Sequence, residues 1–60
     1  MLPDDQKKQL LSRLRRIEGQ AGGLVRMVEA DKSCIDVLQQ MAAAQGALAQ
    51  ASKMLVRYHL

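Results

Sequence analysis

From Leu10 to Val28 the residues Leu10, Leu14, Ile17, Ala21, Leu24 and Val28 fall at alternating steps of four and three. That spacing draws one apolar stripe along an α-helix, the seam pattern of helices that pack lengthwise. A second run, Cys34, Val37, Met41, Ala44, Leu48, Ala51 and Leu55, steps three and four in the same way. Between them Ala30-Asp31-Lys32-Ser33 breaks the pattern. The chain therefore reads as two helices and one short turn, with no strand pattern, repeat or linker. A connection this short makes the helices antiparallel neighbours.

The helix ends carry their own signals. Pro3 suits a first helical turn, and Asp4 and Asp5 favour the positive end of the helix dipole. Asp31 or Ser33 can cap the second helix, with Asp36 three residues after Ser33 in a capping-box arrangement. Gly19, Gly22 and Gly23 sit inside the first helix, where each costs about 1 kcal/mol relative to Ala. They predict a kink or a close helix contact. A phosphate-binding loop is excluded because no strand precedes them.

Two helices cannot enclose a core. The 60 residues include no Phe, no Trp, one Tyr (Tyr58) and one Cys, so large aromatic fillers and an intramolecular disulfide are both absent. The missing apolar partner is expected to be a second copy of the chain. The expected fold is all-α, with residues 1–60 as a single helical domain. Two long antiparallel helices per chain form a dimeric four-helix bundle, and a dimer of dimers beyond it. The segment Ala42-Ala43-Ala44-Gln45-Gly46-Ala47 is small enough to let another helix approach closely.

Nine Lys or Arg face six Asp or Glu, a net charge of +3 that multiplies on assembly. Such a surface suits an anionic partner, nucleic acid ahead of membrane, and is equally compatible with ordinary solvated helix faces. On a helical wheel Lys8, Arg15 and Arg26 lie together opposite the first seam, flanked by Arg13 and Arg16. Guanidinium groups on a rigid helix match phosphate oxygens. No helix-turn-helix, zinc finger or ribbon is visible, so DNA binding would use the face of an oligomer. The acidic start Met1-Leu2-Pro3-Asp4-Asp5 lacks a leader pattern, and charged or Gln residues interrupt every apolar stretch. The expected location is the cytoplasm, with a reduced thiol and no membrane partner.

Cys34 and His59 are the soft metal-ligand candidates besides Met. They are 25 residues apart, almost seven whole helical turns, so they share a face but lie about 37 Å apart along a straight axis. They cannot meet within one chain. Two second helices crossed antiparallel between Gly46 and Ala47 would bring Cys34 of one chain to the partner's His59, twice by symmetry. Thiolate and imidazole suit Cu(I), Zn(II) or Ni(II). Spacing alone favours a buried cysteine at a helix start and a frayed terminal histidine without a ligand over a metal site. Nucleophilic catalysis is not expected: neither a third orienting residue nor an oxyanion device accompanies the pair.

The segments Arg13-Leu-Arg-Arg-Ile-Glu-Gly-Gln20, Gly23-Leu-Val-Arg-Met-Val-Glu29, Cys34-Ile-Asp-Val-Leu-Gln-Gln40 and Ala42-Ala-Ala44 together resemble the CsoR/RcnR family of metal-sensitive repressors over nearly the whole chain. The resemblance implies an all-helical homodimer with antiparallel second helices, assembled into a homotetramer, that releases operator DNA on binding an inducer. In copper-sensing members it implies a site made of a cysteine at the start of helix 2 and a His-x-x-x-Cys pair from the other subunit. Cys34 matches the first ligand and His59 the histidine. The second cysteine and the family's short third helix would fall beyond Leu60. Arg13, Arg15 and Arg16 match the basic start of the family motif, where DNA contacts are expected. The N-terminal histidine of the nickel-type pattern and the second cysteine of the persulfide type have no counterpart here, and Pro3 lies behind Met1 and Leu2, unlike the exposed proline of the formaldehyde type. The expectation is a non-enzymatic, DNA-binding repressor induced by copper(I), with nickel or zinc as other metals. The alternatives are the same fold sensing an electrophile or sulfur species at Cys34, or a helical oligomerisation module without a ligand.

Overall fold

A computed structural model describes residues 1–59. Two α-helices of 26 residues each, α1 (Asp4–Glu29) and α2 (Cys34–His59), run antiparallel on either side of the turn at residues 30–33. The Cα atoms span 42 × 16 × 11 Å, the shape of a single helical hairpin. Among the described residues no helix is long and apolar enough to cross a membrane.

Local chemistry accounts for each helix end. Pro3 precedes the first helical residue in an extended conformation (ψ 156°), and its carbonyl accepts the Lys7 N–H at 2.8 Å. Asp4 and Asp5 occupy the first turn, where their charges oppose the positive dipole end. α1 closes in a Schellman arrangement. The Lys32 N–H reaches the Met27 carbonyl at 3.0 Å and the Asp31 N–H reaches the Val28 carbonyl at 3.1 Å. That geometry needs a left-handed residue, and Asp31 supplies it at φ 55°. Aspartate is among the few non-glycine residues that enter this region readily. Of the two candidate caps, Ser33 is the one used: its Oγ accepts the Asp36 N–H at 3.2 Å, and its carbonyl accepts the Val37 N–H at 3.1 Å.

The interhelix seam differs from the stripe predicted by periodicity. On α1 the residues turned toward α2 are Leu10, Ile17, Gln20, Leu24 and Met27, buried or half-buried. On α2 they are Val37, Ala44, Ala47, Ala51, Met54 and Tyr58. Leu14, Ala21, Val28, Cys34, Met41 and Leu48, all expected in the seams, stand exposed. The reason is geometric: the apolar stripe of each helix is wider than one helix contact. Its members spaced seven apart form two adjoining rows, and the hairpin uses only one of them. Among the described residues the buried core is small, comprising Leu10, Ala51 and Met54, and sits at the open end of the hairpin away from the turn.

The glycines of α1 do not serve a close contact with α2 within the chain. α1 is one uninterrupted helix, and a Cβ added at Gly19 would meet nothing within 4 Å. At Gly22 and Gly23 the nearest neighbour is the guanidinium of Arg26, folded back along its own helix with Nη1 3.4 Å from the added atom at Gly22. The absent side chains leave space for that arginine rather than for α2.

Candidate functional site

The antiparallel pairing brings the first half of α1 beside the last turns of α2. An open groove runs between them, lined by Lys8, Gln9, Ser12, Arg13 and Arg16 from α1 and by Met54, Arg57 and Tyr58 from α2. Four of the eight lining residues are cationic and none is acidic. Tyr58 Oη donates a hydrogen bond of 2.7 Å to Gln9 Oε1, tying the two walls together.

Of the five basic residues singled out by sequence, the groove collects Lys8, Arg13 and Arg16. Arg15 is exposed on the outer surface of α1, and Arg26 lies along the outer surface over Gly22 and Gly23. Arg57 and Tyr58 were missed. The signal was available: once the helices are antiparallel, the end of α2 must lie beside the start of α1, and any basic residue there joins the same cluster.

The opposite flank of the hairpin is apolar. Leu14 and Val28 on α1 and Leu38, Met41 and Leu48 on α2 are exposed by 37, 59, 59, 41 and 50% of their surfaces. Residues at multiples of seven along a packed helix share one row. Val28, Cys34, Val37, Leu38 and Met41 line one shallow hollow near the turn, so the exposed rows of both helices face the same side. Cys34 is free and exposed, not buried as one reading of its position allowed. His59 is exposed in the last turn of α2. The two are held at opposite ends of one 26-residue helix and do not approach each other within the chain. Among the described residues no group of three or more His, Cys, Asp or Glu side chains could hold a metal ion.

Residues 6–60 match the sequence profile of a family described as metal-sensitive transcriptional repressors. The chain is 49% identical over 55 residues to the copper-sensing transcriptional repressor RicR of Mycobacterium tuberculosis, covering 92% of this chain and 57% of that protein. It is 43% identical over 54 residues to the copper-sensing repressor CsoR of Bacillus subtilis, covering 90% and 54%, and 38% identical over 56 residues to CsoR of Mycobacterium ulcerans, covering 93% and 48%. The chain thus spans about half the length of the curated relatives it matches. No solved structure gives a significant match. The family consists of transcriptional repressors, not enzymes. With its two helices and residues 6–60 falling within that profile, the chain belongs to the metal-sensitive transcriptional repressors, the CsoR/RcnR family.

Proposed function

We propose that this chain is the DNA-binding and inducer-sensing portion of a cytoplasmic repressor that releases its operator when it binds a metal, copper(I) before nickel or zinc. The observation that carries the DNA half is the groove holding Lys8, Arg13, Arg16 and Arg57 with no acidic residue in its lining. Concentrated cations facing one opening suit the phosphate backbone of duplex DNA, whose affinity is dominated by such charge pairs. Arg15 and Arg26, on the outer surface of α1, extend the basic area beyond the groove. The choice of copper leans on the copper-sensing relatives and on the softness of a thiolate ligand.

The metal half needs a second copy of the chain. The apolar flank that carries Leu14, Val28, Met41 and Leu48 is the surface that copy would cover, giving the four-helix dimer, which would pair again into a tetramer. Two α2 helices crossed antiparallel at mid-helix through the row that holds Met41 and Leu48 would use the face that also carries Cys34 and His59. Such a crossing sets Cys34 opposite the partner's His59. The donor set fits a thiophilic ion: an exposed thiol and an exposed imidazole, each on the side left free by the hairpin. The bound ion would link two subunits and so bias the assembly away from its DNA-binding arrangement. Cys34 would supply the anionic ligand and the partner's His59 a neutral one.

The test is a copper(I) titration of the protein–operator complex followed by fluorescence anisotropy. Cys34→Ala is expected to keep operator affinity and to lose copper-driven release, because Cys34 lies outside the basic groove. A variant that still releases DNA on copper addition would refute the site. The exposure of Cys34 supports a second reading, in which an electrophile or sulfur species modifies the thiol directly. Release of DNA accompanied by a mass increase at Cys34, without bound metal, would establish that reading instead.

A further inference from the structure

The α2 wall of the basic groove has two polar side chains in consecutive positions, Arg57 and Tyr58, and only one of them is a cation. Arg57 sits in the last turn of α2, where a positive charge is already favoured by the helix dipole. The dipole alone does not explain Tyr58. Its ring is half-buried beside Met54, a role that a phenylalanine would fill equally, yet its hydroxyl reaches across to Gln9 Oε1 at 2.7 Å. Gln9 lies between Lys8 and the arginines of α1, and both it and Tyr58 line the groove. The bond is exposed, so water competes for both partners and its net contribution to stability is small. What it does supply is position. The final turn of a helix lacks partners for its last carbonyls and tends to fray. A side-chain bond 49 residues away in sequence holds this turn, and Arg57 with it, against the α1 wall.

We propose that Arg57 is a phosphate-contacting residue of the operator-binding surface and that the Tyr58–Gln9 hydrogen bond is what positions it. The groove would then hold the DNA backbone from both helices, with Lys8, Arg13 and Arg16 on one wall and Arg57 on the other. This deepens the DNA-binding reading above and rests on it. Tyr58 is a positioning residue: it touches Gln9, and acts on DNA through Arg57.

The experiment measures operator binding by the full chain across a salt series and reads the slope of log K against log salt. Removing one phosphate-bound cation lowers that slope by about 0.9. Arg13→Gln serves as the reference for removal of a single groove cation. Arg57→Gln is expected to flatten the slope by the same increment, and Arg57→Lys, which keeps the charge, to retain it. Tyr58→Phe, with circular dichroism unchanged, is expected to flatten the slope as Arg57→Gln does, and the double variant to flatten it no further than either alone. If Arg13→Gln flattens the slope while Arg57→Gln leaves it unchanged, the groove binds DNA from α1 only and the proposal fails. A double variant with a clearly flatter slope than Arg57→Gln overturns the positioning role. If the unmodified chain shows no salt-dependent operator binding, the DNA-binding reading falls and this one with it.

Discussion

Leu48→Ala tests whether the exposed apolar flank is covered by a second copy of the chain. Leu48 stands mid-helix on α2 with 50% of its surface exposed, in the row that also holds Cys34 and Met41. Covering a fully exposed leucine is worth about 1.5–3 kcal/mol. Half of that remains to be gained at Leu48, so the side chain contributes about 1 kcal/mol to an interface. A two-fold interface counts it twice, about 2 kcal/mol per dimer. At about 1.4 kcal/mol per decade, the dimer dissociation constant should rise roughly 25-fold. Alanine and leucine have similar helix propensities, so the helix itself should not suffer. Sedimentation equilibrium over a concentration series reads the constant directly. Ile35→Ala is the control, because Ile35 is 64% exposed but projects about 140° around the axis of α2 from Leu48, at roughly 100° per residue. The reasoning is refuted if Leu48→Ala leaves association unchanged, or if Ile35→Ala weakens it as much.

Two further substitutions probe the turn. Ser33→Ala removes the Oγ that accepts the Asp36 N–H and should cost about 1 kcal/mol, lowering the melting temperature by about 4–8 °C; a change below about one degree would show that the cap is dispensable. At Asp31, where φ is 55°, the order of stability should be Gly above Asp above Val, with Gly gaining up to about 1 kcal/mol from relief of the left-handed conformation and Val losing more because its branched side chain crowds the backbone. Equal melting temperatures for the Asp and Val forms would mean that the Schellman turn does not persist in solution.

Much of the fold was legible in the sequence. The turn at residues 30–33, the start of α2 at Cys34 and the antiparallel pairing all followed from the interruption of two periodic runs by polar, cap-forming residues. The side facing the partner helix was harder to read. A three-four repeat can be traced through Leu10, Leu14, Ile17 and Ala21 or through Leu10, Ile17, Gln20 and Leu24, and hydrophobicity favours the first. The structure uses the second: Gln20, Ala44, Ala47 and Ala51 are half-buried or buried, and the larger Leu14, Met41 and Leu48 are left outside. The basic groove was half legible for a related reason. Arg13 and Arg16 are conspicuous as a cluster in the sequence, whereas Arg57 joins them only once α2 has folded back across α1. Cys34 and His59 could be placed on one face by counting turns, and the chain holds both on its free side. Whether a second chain brings the pair together is a question of assembly, which the pattern of one helix does not encode.

That only three side chains are buried among the described residues has a consequence for the hairpin's behaviour by mass action. Leu10, Ala51 and Met54 form a core far smaller than the apolar surface left outside it. If a second chain covers that surface, folding becomes a second-order event, and the folded fraction depends on how many copies are present. Dilution would then act as a denaturant, and a newly made chain would gain its full stability only on encounter with another. A repressor built in this way would have a threshold in its own abundance: below it, chains remain loosely folded and open to proteolysis, and above it they become persistent together.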